Sequence, residues 1–163
     1  MVPLFKTLVR PVLEYGNVVW SPYLQKNIQL IENVQRKFTK RMVGFSEIEY
    51  EERLKLLRLP SLEFRRLRGD MIETYKIVHG IYDSRTTSTL FTFKDDPRTR
   101  GHSLQISKVH TNTTRFLKFF TNRVINYWNY LPENIVKAGT VNAFKNALDL
   151  HWKEKVYAIN LNS

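Results

Sequence analysis

Phe64, Leu67, Met71, Tyr75 and Val78 follow one another at steps of three and four. Only an α-helix brings that spacing onto one face, so the chain has to be built from helices that bury a stripe. Leu24, Ile28, Ile31, Phe38 and Met42 carry the same pattern upstream. Downstream it returns in Phe116, Phe120, Val124, Tyr127/Trp128 and Leu131, and again in Phe144, Leu148 and Trp152. The punctuation between these stripes agrees with helices. Ser21-Pro22 reads as an N-cap followed by a first-turn proline. Ser46 and Glu49 have capping-box spacing, with Tyr50, Leu54 and Leu57 as the short apolar face behind them. Ser61 and Thr140 are placed to cap the helices that follow them. Pro60 and Pro132 stop helices, and Gly16-Asn17, Gly44 and Gly80 mark ends. Near the N-terminus Leu4 and Leu8 share a face, and Pro11 kinks that helix or begins the next.

One stretch breaks the pattern. Ser84 to Thr89 is rich in Ser and Thr, and Asp95-Asp96-Pro97 is a turn signal. Residues 81–100 therefore read as a long exposed loop. Alternation around Leu104 and Ile106 adds a small β-hairpin at 90–110 as the one β element the pattern admits. The fold class is mainly α.

Composition narrows the chemistry. The 163 residues hold no Cys, which removes disulfides, thiol nucleophiles, thiolate zinc sites and iron–sulfur clusters together. No apolar run reaches the roughly 18 residues of a membrane span. Lys6 and Arg10 interrupt the N-terminal apolar stretch where a signal peptide needs continuity. The unusual quantity is charge: 26 Lys+Arg stand against 15 Asp+Glu, a net +11. A surplus of that size points to a polyanion partner.

Catalytic motifs are absent or out of context. Phe93-Lys94-Asp95-Asp96 has the aromatic-x-Asp-Asp form of a polymerase metal motif, but Pro97 and Arg98 follow where a second buried strand is needed. It reads as a solvated turn. His79, His102, His110 and His151 lack ligand spacing, no serine sits in a G-x-S-x-G, and the six glycines form no phosphate loop. The reading names no catalytic residue, no metal ligand and no cofactor.

The cations are more informative. Arg36, Lys37, Lys40 and Arg41 lie on one helix, with like charges at i, i+4. Arg65, Arg66 and Arg68 form a second cluster. Residues 97–132 contain no Asp or Glu, yet hold Arg98, Arg100, Lys108, Arg115, Lys118 and Arg123 interleaved with aromatic residues. Basic side chains grip phosphates and exposed aromatic faces stack on unpaired bases. Helical spacing of those aromatics equally suits core packing, and charges on a helix equally suit a solvated face.

A family likeness runs through these residues. Leu8-Val9-Arg10-Pro11, Glu14-Tyr15 and Trp20 resemble the start of the region after the palm in non-LTR (LINE-type) retrotransposon reverse transcriptases, especially the jockey and chicken-repeat-like groups. The likeness continues through Gln35-Arg36, Tyr50-Glu51-Glu52-Arg53-Leu54, Leu62-Glu63-Phe64-Arg65-Arg66, Arg68-Gly69-Asp70 and Tyr75-Lys76. It resumes at Thr99-Arg100-Gly101-His102, Phe119-Phe120, Arg123-Val124, Trp128-Asn129, Leu131-Pro132, and Phe144-Lys145 with Leu148. The order of the blocks is more specific than any one of them.

The resemblance implies a carboxyl-terminal, thumb-like helical piece of an RNA-directed DNA polymerase, whose polymerase and endonuclease carboxylates lie upstream of such a segment. It implies no catalysis by this chain alone, with Mg²⁺ expected only alongside the missing palm. The expected partners are nucleic acid (RNA, DNA or hybrid duplex) and the palm and fingers of the parent polyprotein, in the cytoplasm or nucleus, without membrane or disulfides. Residues 1–80 are read as a helical thumb-like subdomain, 81–100 as the loop and 101–163 as a second helical layer with a frayed tail. The nucleic-acid-binding candidates are Arg36, Lys37, Lys40, Arg41, Arg65, Arg66, Arg68, Arg98, Arg100, Arg115, Lys118 and Arg123. The rival reading is a helical protein-interaction domain, or the inactive product of a degenerate element. A free-standing enzyme is the weaker third.

Overall fold

The computed structural model describes residues 1–87, 89–94, 101–108 and 113–158. It is mainly helical, as the periodicity requires. The chain forms two compact units. One takes Met1–Asn17, Ser21–Leu67 and the chain from Trp152 onward; the other takes Val18–Trp20 and Arg68–His151. The sequence reading put its boundary at 80, whereas the units divide inside a helix.

The first unit opens with α1 (Val2–Leu4), a π-helical stretch (Phe5–Val9) and α2 (Arg10–Glu14), with Pro11 in the first turn of α2. Phe5 is fully buried and stacks on Phe38 with centroids 4.6 Å apart. Phe38 belongs to α3 (Gln25–Lys40), which is followed by α4 (Tyr50–Leu57) and α5 (Leu62–Val78). Two expected helix starts move. Helix α3 begins at Gln25 behind Leu24, not at Ser21-Pro22. Helix α4 begins behind Glu49, so Ser46 stays in a turn and the capping box does not form.

Helix α3 also buries a different line from the expected one. Ile28, Glu32, Gln35 and Thr39 are buried, while Leu24 and Leu30 are exposed and Ile31, Phe38 and Met42 are half-buried. The reason lies in the corner between α4 and α5. Leu59, Ser61 and Leu62 there have no exposed surface, so their backbone polar groups need protein partners. Glu32 supplies one set: its Oε2 accepts the N–H groups of Leu62 (2.9 Å) and Glu63 (3.2 Å), two open donors in the first turn of α5. Gln35 Nε2 donates to the Pro60 carbonyl (3.0 Å). The Ser61 hydroxyl accepts from Phe64 N–H (3.2 Å), the N-cap that the sequence indicates, and donates to Ala158 C=O (2.8 Å). Ser61 N–H donates to Val156 C=O (3.1 Å), tying down the C-terminal segment. Tyr50 completes the cluster by donating to Glu32 Oε1 (2.5 Å).

In the second unit, the rest of α5 buries Met71, Ile72 and Tyr75. After α6 (Ser84–Thr87), an antiparallel bridge pairs Phe93 with Ile106. Lys94 N–H donates to Gln105 C=O (3.0 Å) and Ser107 N–H to Thr92 C=O (2.7 Å). The expected hairpin reduces to this pairing. The helix expected over 114–131 is broken into α7 (Thr114–Leu117), α8 (Phe120–Arg123) and α9 (Ile125–Asn129). Asn122 Nδ2 takes the Phe116 carbonyl (3.0 Å), so a side chain substitutes for the backbone ladder where α7 stops. Helices α10 (Glu133–Val136) and α11 (Val141–His151) follow, and Thr140 Oγ1 caps α11 through Ala143 N–H (3.1 Å) as expected.

Trp128 is the centre of this unit and has no exposed surface. Its Nε1 donates to Leu104 C=O (2.8 Å), and its own carbonyl meets His102 Nε2 (2.9 Å). The Asn129 amide clamps Ile106 through both backbone groups at 2.8 Å. Tyr75 stacks on Phe144 (4.4 Å) and on His79 (4.2 Å). Gly101 has φ +131, a conformation that L side chains rarely adopt, and a Cβ there would also displace the end of the Gln105 side chain.

Burial pushes the Glu32 carboxyl above its ordinary range, against the hydrogen bonds that favour its charged form. The folded state thus holds that proton more tightly than the unfolded chain does. This contribution to stability is full below the ordinary carboxylate pKa and is lost as pH rises through the raised one. Urea melts across that window should show stability falling with pH, and Glu32→Gln should flatten the slope. Glu32→Ala should cost about 2–4 kcal/mol at every pH, because it leaves buried donors without an acceptor. An Ala variant as stable as the parent would show that the corner does not need α3.

Candidate nucleic-acid interface

The twelve cations nominated by sequence do not share one environment. Arg65 forks onto Glu14, its Nη2 at 2.8 Å from Oε2 and its Nε on Oε1. Arg66 is buried. Arg68 pairs bidentately with Asp149 at 2.5 and 2.7 Å. Arg123 pairs bidentately with Asp70 at 2.8 and 2.9 Å, donates to the carbonyls of Val18 (3.3 Å) and Lys118 (3.4 Å), and lies over the Phe120 ring. Arg65, Arg68 and Arg123 are thus each engaged with a carboxylate of their own unit. The fork of a guanidinium suits that work, since it satisfies a carboxylate and a carbonyl at once.

Arg36 leans inward. It is half-buried, with its guanidinium 4.9 Å from the centre of the Tyr50 ring. Arg53, outside the nominated set, lies on the same ring at 5.4 Å and donates to Thr39 Oγ1 (3.2 Å) and Ile48 C=O (2.5 Å). Burial and the neighbouring Glu32 raise the Tyr50 phenol above its usual range, so it stays a donor to that carboxylate.

Lys37, Lys40 and Arg41 are exposed, and no acidic side chain among the described residues pairs with them. They crowd the C-terminal turn of α3, where cations also complement the helix dipole. Lys118 is exposed between α7 and α8. Arg98 and Arg100 lie outside the described residues, as do Asp95 and Asp96, and of Arg115 only its place on α7 is described.

Two surface features escaped the sequence reading. Met1, Leu4, Leu8, Val12 and Tyr15 form an exposed line along α1, the π-helical stretch and α2, with Leu8 65% and Val12 73% accessible. Their spacing is visible in the sequence, but the same spacing reads as core. The second is a cavity in the other unit, between the Phe93–Ile106 pairing and α7–α9. Among the aromatics of the acid-free stretch, Phe120 and Trp128 are core, whereas Phe116, Phe119 and Tyr130 are exposed.

Among the described residues no group of His, Asp or Glu side chains is placed to hold a metal ion, and no helix is long and apolar enough to cross a membrane. No protein-family model, curated protein or solved structure matches this chain.

Arg123 gives a direct check on this sorting. Arg123→Gln should cost about 1–3 kcal/mol, because it removes a bidentate partner of the buried Asp70. Affinity of the folded fraction for duplex DNA should be unchanged. Thermal melts and fluorescence anisotropy on the same preparation separate the two effects. Lost affinity at an unchanged melting temperature would return Arg123 to the binding surface.

Proposed function

We propose that the chain is the carboxyl-terminal, thumb-like piece of a non-LTR retrotransposon reverse transcriptase, and that it binds template–primer nucleic acid without regard to sequence. The observation that carries this reading is the exposed, acid-free cluster Lys37, Lys40 and Arg41 on a chain of net charge +11. Such side chains neutralise phosphates and release counterions, and phosphate contacts carry no base information. In this reading the chain positions a duplex, and the carboxylates and Mg²⁺ of polymerisation belong to the palm. Primer extension by the purified chain with Mg²⁺ or Mn²⁺ should therefore give no template-dependent product, and its appearance would overturn the assignment.

The charge cluster makes a sharper prediction. With three phosphate contacts at about 0.9 counterion each, K37Q/K40Q/R41Q should shallow the slope of log K against log salt by about 2–3 on duplex DNA. The fold should persist, because all three side chains are exposed. Relative affinities among sequences should not move. A variant with the parent's slope would make this an ordinary solvated helix end.

The exposed Leu4–Leu8–Val12 line supports a second reading, a protein-interaction surface for the palm and fingers. Leu8→Ser with Val12→Ser should then abolish association with a separately expressed palm while leaving the salt slope intact.

A further inference from the structure

The second unit holds a half-open cavity of about 300 Å³, the low end of the range that takes a small ligand. Its floor is apolar and buried: Phe91, Ile106 and Ile125. Phe116 lines it while remaining 43% accessible, so part of its ring is unused by the protein. Phe119 meets that ring edge-on at 5.8 Å, and the Asn122 amide holds the Phe116 carbonyl, so the ring is placed by its own turn. Thr92, Ser107 and Thr121 add hydroxyls that make no side-chain hydrogen bond with the described residues. An apolar floor, a partly accessible aromatic ring and several hydroxyls match a planar heterocycle with polar edges.

The charge around the cavity favours a nucleotide over a neutral ring. Its lining comes from 89–92, 106–107, 116, 121–122 and 125, and none of these positions is Asp or Glu. An exposed lysine follows a lining position within two residues in each of three segments: Lys94 after Thr92, Lys108 after Ser107 and Lys118 after Phe116. Lys94 donates to the Gln105 amide oxygen (3.1 Å), a neutral partner that leaves its charge in place. A paired base has both faces stacked and offers only its edges, whereas an unpaired base has a face free for Phe116.

We propose that this cavity takes one unpaired nucleobase of a bound strand, stacked on Phe116, with the flanking phosphates held by Lys94, Lys108 and Lys118. The site extends the nucleic-acid reading from duplex contacts on α3 to a single-stranded subsite, and the two fail separately.

The test uses the full chain and three fluorescent probes: a short oligothymidine, an abasic strand of the same length and a duplex. Phe116→Ala should weaken oligothymidine binding about 5- to 100-fold, the range that losing one base–aromatic stack produces. Phe116→Tyr should restore it. Thr121→Trp, which fills the cavity and keeps Phe116, should impair it comparably. Duplex affinity should be unchanged in all three variants, and the abasic strand should be insensitive to Phe116→Ala. Equal oligothymidine affinity for parent, Phe116→Ala and Thr121→Trp would overturn the site. So would an abasic strand that binds as tightly as oligothymidine. If K37Q/K40Q/R41Q leaves duplex binding intact while the Phe116 effect persists, the α3 reading fails and the pocket stands.

Discussion

A buried turn of backbone needs hydrogen-bond partners, and Glu32 answers that need at the α4–α5 corner. One carboxylate serves two N–H groups of α5 and the Tyr50 hydroxyl. Its neighbours on the same face, Gln35 and Thr39, serve the Pro60 carbonyl and the Arg53 guanidinium. This fixes how α3 is rolled. At about 100° per residue, positions 28, 32, 35 and 39 share one face and positions 30, 34, 37 and 41 share the opposite one. Leu30, Val34, Lys37 and Arg41 are all exposed. The cationic end of α3 therefore faces solvent because a polar line on the same helix is needed inside.

The same competition sorts the arginines from the lysines. Composition supplies 26 basic side chains, but the carboxylates of Glu14, Asp70 and Asp149 claim arginines within each unit. The pairs differ in weight. Arg123–Asp70 is nearly dry, while Arg68–Asp149, with Asp149 44% accessible, contributes at most about 1 kcal/mol. What remains outside is largely lysine, a compact charge on a flexible stem that contacts phosphate without demanding geometry. That chemistry suits grip without sequence preference.

Much of the architecture was legible because it rests on local rules. The stripes of α5 and α11, the Ser61 and Thr140 caps and the mainly α class all follow from spacing and from side chains that reach only a few residues. The misses are long-range. Nothing near Glu32 in sequence announces that donors thirty residues away will need it. The Ser46–Glu49 spacing satisfies the capping-box rule, yet α4 starts at Tyr50, whose ring and hydroxyl are held by Glu32, Arg36 and Arg53. The 114–131 pattern has helical period throughout, but periodicity does not reveal that Asn122 will take a backbone carbonyl and end a turn. For the interface, counting charges found every cation and could not tell which ones carboxylates elsewhere in the chain would claim.

Some of the residues on which the proposed resemblance rests hold the fold. Tyr50, Arg53 and Leu54 build the α3–α4 cluster. Asp70 and Arg123 form the buried pair, and His102, Trp128 and Asn129 lock the bridge segment in place. Gly101 holds a φ of +131, which L side chains rarely adopt. Each of these positions answers a packing or hydrogen-bonding demand inside its own unit. Binding has to be argued from side chains the fold leaves uncommitted. Lys37, Lys40 and Arg41 are exposed, and Phe116 lines a cavity while remaining 43% accessible. In the proposed reading, a strand with its phosphates outside and a base turned inward would use both.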